Sequence, residues 1–181
     1  MAKKALRIDS YTFKSGESLL LDANIWVLLY GPQYTAGDRR TAIYSSALAK
    51  ILAAKCQIFI DALVLSEFVN AFARYRFNTR AAGLRSLDFK QYRNSRHFKT
   101  TAKDIAASCR RILSHAKPVE CGFAALNCTT LLADYETGKH DFNDQVLAEL
   151  CKDKGFQFVT DDGDFGKYDV AVITANRKLL K

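Results

Sequence analysis

Two hydrophobic rhythms alternate along this chain. Short apolar runs at 18–21, 57–60, 156–160 and 170–174 have the length and side-chain types of buried strands. A weaker run lies at 117–121. Between them, apolar positions recur every three or four residues, as a helix with one buried face requires. Residues 39–54 show this with Ile43, Ala47, Leu48, Ile51 and Leu52, and 63–75, 124–135 and 143–154 read the same way. Gly155 stands between the last helix and the next strand, where a helix C-cap belongs. Strand followed by helix followed by strand implies crossover connections. The fold class expected is therefore α/β, a three-layer α/β/α sandwich around a mainly parallel sheet.

With 181 residues, two prolines, no repeat and no low-complexity stretch, the chain is expected to form a single domain over 1–181. One section breaks the rhythm. From Arg74 to Lys99 there are eight basic residues and one acid, Asp88, with Tyr75, Phe77, Phe89, Tyr92 and Phe98 interleaved. A basic helical lobe at about 74–117 is expected, with Arg74, Arg76, Arg93, Arg96 and Lys99 as candidate nucleic-acid contacts. Basic side chains would track phosphates there, and aromatic rings would stack bases. A plainer reading is an amphipathic helical pair whose aromatics form a core beneath a solvated basic face.

The net charge of +8 favours a polyanionic partner, nucleic acid before membrane. No apolar run approaches the roughly 20 residues of a membrane span. The opening MAKKALRIDSYTF has lysines without an apolar stretch behind them, so no secretory leader is expected. Five scattered cysteines without a C-x-x-C pair argue against a disulfide framework or zinc knuckle. The three histidines are also dispersed. A cytoplasmic protein with reduced thiols follows as the expectation.

Against this basic background, acids collect where the strands end. Asp22 closes the first strand in LLLDANIWVLL, and Glu67 lies early in the helix after the second, in LSEFVNAF. Asp144 falls in the first turn of a helix in FNDQVLAELC, and Asp161, Asp162 and Asp164 follow the fourth strand in FVTDDGDF. Ligands of parallel sheets sit outside the carboxyl ends of the strands, so four segments deliver carboxylates to the functional edge. Hard oxygen ligands of this kind suit Mg²⁺ or Mn²⁺, which activate water and stabilise the oxyanions of phosphoryl displacement. Each acid alone has a structural reading. Asp141 and Asp144 have helix-cap spacing, Asp22 and Asp61 close strands, and Asp161 to Asp164 suit a turn.

The four segments, in this order and spacing from about Leu19 to Phe165, resemble the successive motifs of PIN-domain ribonucleases, especially VapC-type toxins. The resemblance implies that Asp22, Glu67, Asp144 and Asp162 are the catalytic, metal-binding acids. Asn24 and Thr160 match supporting polar residues, with Asp164 and Asp141 as further supporting candidates. It also implies an endoribonuclease using Mg²⁺ or Mn²⁺, RNA as substrate, a cognate antitoxin protein as partner and a homodimer. The basic section between Glu67 and Asp144 is then an RNA-gripping lobe, an oligomer interface or an antitoxin contact. A non-catalytic RNA-binding module on the same scaffold is the alternative, although such a module is expected to have lost at least one of the acids. A phosphohydrolase of small esters would need a D-x-D nucleophile motif or a glycine-rich phosphate loop, and LLLDANIW offers neither.

Overall fold

The computed structural model describes residues 5–33 and 37–181. Six parallel strands form one sheet: β1 (Ala5–Arg7), β2 (Ser18–Leu21), β3 (Gln57–Ile60), β4 (Ala116–Pro118), β5 (Gln157–Val159) and β6 (Val172–Thr174). Their spatial order is β1-β6-β5-β2-β3-β4. The helices are α1 (Ala23–Tyr30), α2 (Arg39–Ala53), α3 (Ala62–Asn78), α4 (Phe89–Asn94), α5 (Phe98–His115), α6 (Cys128–Glu136) and α7 (Phe142–Lys154). The layers are those of a three-layer α/β/α sandwich.

Consecutive Leu19, Leu20 and Leu21 are all buried, although alternate residues of a strand point to opposite faces. Both faces of the sheet are therefore covered, as a parallel sheet demands. On the helical side, α1 packs on α2, α3 and α5, whereas α6 pairs with α7.

The strand order creates one switch point. From β2 the chain winds outward through β3 to β4, while β5 returns on the other side of β2 and leads to β6 and β1. Loops leaving the carboxyl ends of β2 and β5 diverge there and open a crevice. The register pairs Leu21 with Val159, and the amide of Asp22 donates to the carbonyl of Val159 at 3.0 Å. Asp22 and Thr160 are thus brought side by side by the sheet itself.

Aspartates start the helices around this crevice. Asp22, Asp61 and Asp141 cap α1, α3 and α7 through their side chains, each accepting a backbone N–H of the first turn. Gly155 ends α7 at φ 65°, in the left-handed region that glycine tolerates best. The expected helix at 124–135 starts later, at Cys128, because Asn127 supplies its cap and a short 3₁₀ turn occupies Phe123–Ala125. The weak strand expected at 117–121 is observed one residue earlier and shorter, at Ala116–Pro118.

Candidate active site

Asp22 is 5 % exposed, and its carboxylate is held on both oxygens. Oδ1 accepts from the Ala23 amide at 2.6 Å. Oδ2 accepts from the Thr160 hydroxyl and from Nδ2 of Asn24, each at 2.6 Å. Asn24 Nδ2 also reaches Thr160 Oγ1 at 3.0 Å, and its Oδ1 accepts from the Asp161 amide at 3.2 Å. Thr160 Oγ1 in turn accepts the Asp162 amide at 3.0 Å. Asn24 and Thr160, both expected as supporting residues, thus tie the end of β2 to the loop after β5. The ring of hydrogen bonds fixes Asp22 in one orientation.

The other acids converge electrostatically. Burial pushes the Asp22 carboxyl up to about 6, and the charges of Glu67 and Asp162 push the same way against the Thr160 hydrogen bond. Burial also raises Glu67, with Asp141 and Asp162 adding to it. Asp144 is pushed up to about 7 by burial first, then by Asp141, Asp162 and Asp22, with Lys167 opposing. Asp162 acts on all three. Asp22, Glu67, Asp141, Asp144 and Asp162 therefore share one field of like charge, and the loop carries Asp164 beside them.

Three neighbouring aspartates on the β5 loop are in different positions. Asp161 is engaged: its Oδ1 accepts from the Tyr44 hydroxyl at 2.9 Å, and Arg40 stands 3.6 Å from Oδ2. Asp162 lines the cleft with Glu67 and caps the following 3₁₀ turn by accepting the Asp164 amide at 2.9 Å. Asp164 is exposed, and its charge adds to the field at Tyr168. Asp61 is buried and spent on its helix, accepting from the Leu63 amide at 2.6 Å.

A cleft of about 390 Å³ opens at this point, with Asn24, Arg40, Glu67, Ala71, Asp161 and Asp162 along it. Among the described residues, no three His, Cys, Asp or Glu side chains stand close enough together to enclose an ion. The donor set is entirely carboxylate oxygen, and burial together with mutual repulsion raises the proton affinity of Asp22, Glu67 and Asp144; both features fit a hard divalent cation.

Tyr44, Arg40 and Asn176 were not singled out from the sequence. The buried Tyr44 hydroxyl accepts the Ala175 amide at 3.0 Å while donating to Asp161, and Asn176 Nδ2 donates to the Asp161 carbonyl at 2.7 Å. The available signal was Tyr44 itself. It lies on the apolar face of α2, and a buried tyrosine hydroxyl needs a polar partner.

The basic section folds mostly on itself. Phe77 meets Phe89 and Tyr92, and Tyr92 meets Phe98, with centroids 5.3, 5.8 and 5.5 Å apart. These rings form a small aromatic core instead of the open stacking surface expected for bases. Arg76 pairs with Asp104 at 3.2 Å. Arg74 and Arg93 lie over Phe89, at 4.0 and 5.9 Å, and both remain exposed. Arg96 and Lys99 are exposed as well. Arg74 follows Glu67 by seven residues, nearly two full turns, so both project from one face of α3 about 10 Å apart along its axis.

The chain is thus a parallel α/β sheet with carboxylates facing its switch point from four segments. Residues 19–171 match the model of the PIN domain, and the chain belongs to that family. The chain is similar to two solved structures. PAE2754 from Pyrobaculum aerophilum is 17 % identical with a TM-score of 0.51, over 92 % of this chain and 96 % of that one. VapBC2 from Rickettsia felis, bound to a DNA fragment from its promoter, is 16 % identical with a TM-score of 0.49, over 87 % and 98 %. No curated protein matches the sequence. Among the described residues, no helix is long and apolar enough to cross a membrane.

Proposed function

We propose that this protein is a divalent-metal-dependent endoribonuclease and the toxin of a toxin–antitoxin pair. The observation that carries the nuclease reading is the shared electrostatic field of Asp22, Glu67, Asp144 and Asp162 at the switch point. PIN domains are generally nucleases that depend on a divalent metal, which supports the same chemistry. The toxin role rests on the order and spacing of the four motifs, which resemble those of VapC-type toxins.

Asp22, Glu67, Asp144 and Asp162 would hold Mg²⁺ or Mn²⁺. Bound there, a divalent ion supplies neutralising charge and activates water for attack on the phosphodiester phosphorus. Thr160 and Asn24 orient Asp22, so that its carboxylate needs no reorganisation when substrate arrives. Glu67 and Asp162 line the cleft that admits the strand. Arg74, on the same face of α3 as Glu67, continues that cleft with a cation, and Arg93, Arg96 and Lys99 extend the basic surface. Arg76 contributes less, since Asp104 already neutralises it. Asp141 serves as the cap of α7 and adds negative charge to the site, and Asp164 braces Asp162. In the cell the toxin acts in the cytoplasm as a homodimer, restrained by its antitoxin.

The test is incubation of purified protein with a mixed structured RNA in Mg²⁺ or Mn²⁺ and in EDTA. Cutting that requires the metal supports the proposal. RNA binding with no cutting of any RNA would favour the non-catalytic module instead.

A further inference from the structure

A second groove, of about 430 Å³, runs from the acidic cleft along the same edge of the sheet. Arg40 and Asp161 line both spaces, so the two adjoin at these side chains. Arg7, Arg39 and Arg177 complete the groove's basic wall, against Asp9 and Asp161. Arg7 stands at the end of β1, directly in register with Thr174 of β6, and Arg177 follows β6. The groove therefore lies outside the carboxyl ends of β6 and β1, leading away from the switch point on the side opposite α3.

Its charge is neutralised internally only in part. Arg40 is shared between Asp161 at 3.6 Å and Asp38 at 4.0 Å, and Arg7 lies 3.9 Å from Asp9. Arg39 and Arg177 are exposed and form no ion pair among the described residues. Arg39 and Arg40 also occupy the first two positions of α2, where a cation opposes the positive end of the helix dipole. That placement works against the helix, and an anion in the groove would offset it.

The backbone under the groove is braced. Asn176 Nδ2 donates to the Asp161 carbonyl at 2.7 Å, and its Oδ1 accepts the Lys178 amide at 2.9 Å. The segment carrying Arg177 is thus tied to the same loop that carries Asp162. Guanidinium groups recognise phosphate oxygens in bidentate fashion and are weakly hydrated, which suits a row of them to a phosphate backbone.

We propose that this arginine groove is a phosphate-binding subsite that holds the RNA backbone beyond the scissile bond, on the β6 side of the cleft. It rests on the nuclease reading, because RNA is the polyanion that must pass the acidic cleft. The strand then enters over α3 and leaves over α2 and β6, gripped on both sides of the carboxylates.

The experiment measures binding of a short labelled single-stranded RNA by fluorescence anisotropy across a salt series. The full chain carries Asp144→Asn to prevent cutting. For single strands each lost phosphate contact lowers the slope of log K against log salt by about 0.7, so Arg39→Ala with Arg177→Ala should lower it by about 1.4. Arg39→Lys with Arg177→Lys, which keeps the charge, should preserve the slope, and thermal melting verifies that each variant is folded. An unchanged slope in the alanine variant would overturn the subsite while leaving the nuclease reading intact; the arginines would then face another anion, such as an acidic protein segment. Absence of RNA binding by the parent would overturn both.

Discussion

The hydroxyl of Thr160, at the end of β5, donates to Oδ2 of Asp22, at the end of β2, across 2.6 Å. Both side chains are buried, and the register of the two strands sets them side by side. The same hydroxyl oxygen accepts from Asn24 and from the Asp162 amide. One oxygen atom thus links the orientation of Asp22 to the position of the loop carrying Asp162.

Replacing Thr160 by valine keeps the shape and removes that link. The Asp162 amide loses its acceptor, Asn24 loses one of two and Asp22 loses a donor, so stability should fall by about 1–3 kcal/mol, read by urea denaturation. The hydrogen bond from Thr160 lowers the Asp22 pKa, so its loss should move the acid limb of the RNA-cleavage profile to higher pH. Cleavage itself should drop about 10–100-fold, as for other groups that orient metal ligands. Thr160→Ser should restore most of both.

The metal-free protein should grow less stable as pH rises from about 4 to about 7. Folding raises Asp22 from 3.8 to about 6 and Asp144 from 3.8 to about 7, so the folded state binds more protons than the unfolded chain within that window. Their contribution is fully present below the unfolded values and is lost as pH climbs through the folded ones. Urea unfolding in EDTA at successive pH values measures this slope. Asp144→Asn should flatten it, and saturating Mg²⁺ should reverse the loss near neutrality by competing with the protons.

Basic residues in the α3–α5 section should separate into two kinds. Neutralising Arg93, Arg96 and Lys99 together should weaken RNA binding and reduce its salt slope by about 2, at about 0.7 per contact. Arg80→Ala should act on the fold instead. Its guanidinium lies 3.6 Å from the Phe77 ring centre and donates to the carbonyls of Leu84, Arg85 and Leu87, so removal should lower the melting temperature. A salt slope that changes for Arg80 and not for the other three would reverse this assignment.

Much of the fold was legible because burial leaves a periodic trace. The β2, β3, β5 and β6 runs and the α2, α3 and α7 patterns all carry apolar residues at the spacing of the structure they adopt. Helix α1 was hidden inside LLLDANIWVLL. Its hydrophobic residues surround the axis, so no polar face reports the helical period, and only the capping role of Asp22 marks its start. Strand β1 has three residues at the sheet edge, too few to show alternation. The carboxylates were visible as residues ending strands or opening helices. Their delivery to one edge of the sheet followed from that placement, but the strand order β5-β2-β3, which sets which ends adjoin, leaves no trace in the local pattern. The aromatics of 77–98 misled as candidate base platforms, since the same composition serves a small core.

If Asp22, Glu67, Asp144 and Asp162 make one metal-dependent centre, the loss of one acid removes both the ion and the chemistry. Calorimetry of Mn²⁺ binding to the intact protein, to Asp22→Asn and to Asp144→Asn, paired with RNA cleavage by the same samples, reads both. The intact protein should bind Mn²⁺ and cut RNA, EDTA should stop the cutting, and each variant should lose binding and at least about 100-fold in rate. Cleavage that persists in EDTA, or variants that bind Mn²⁺ and cut RNA as the intact protein does, would contradict it.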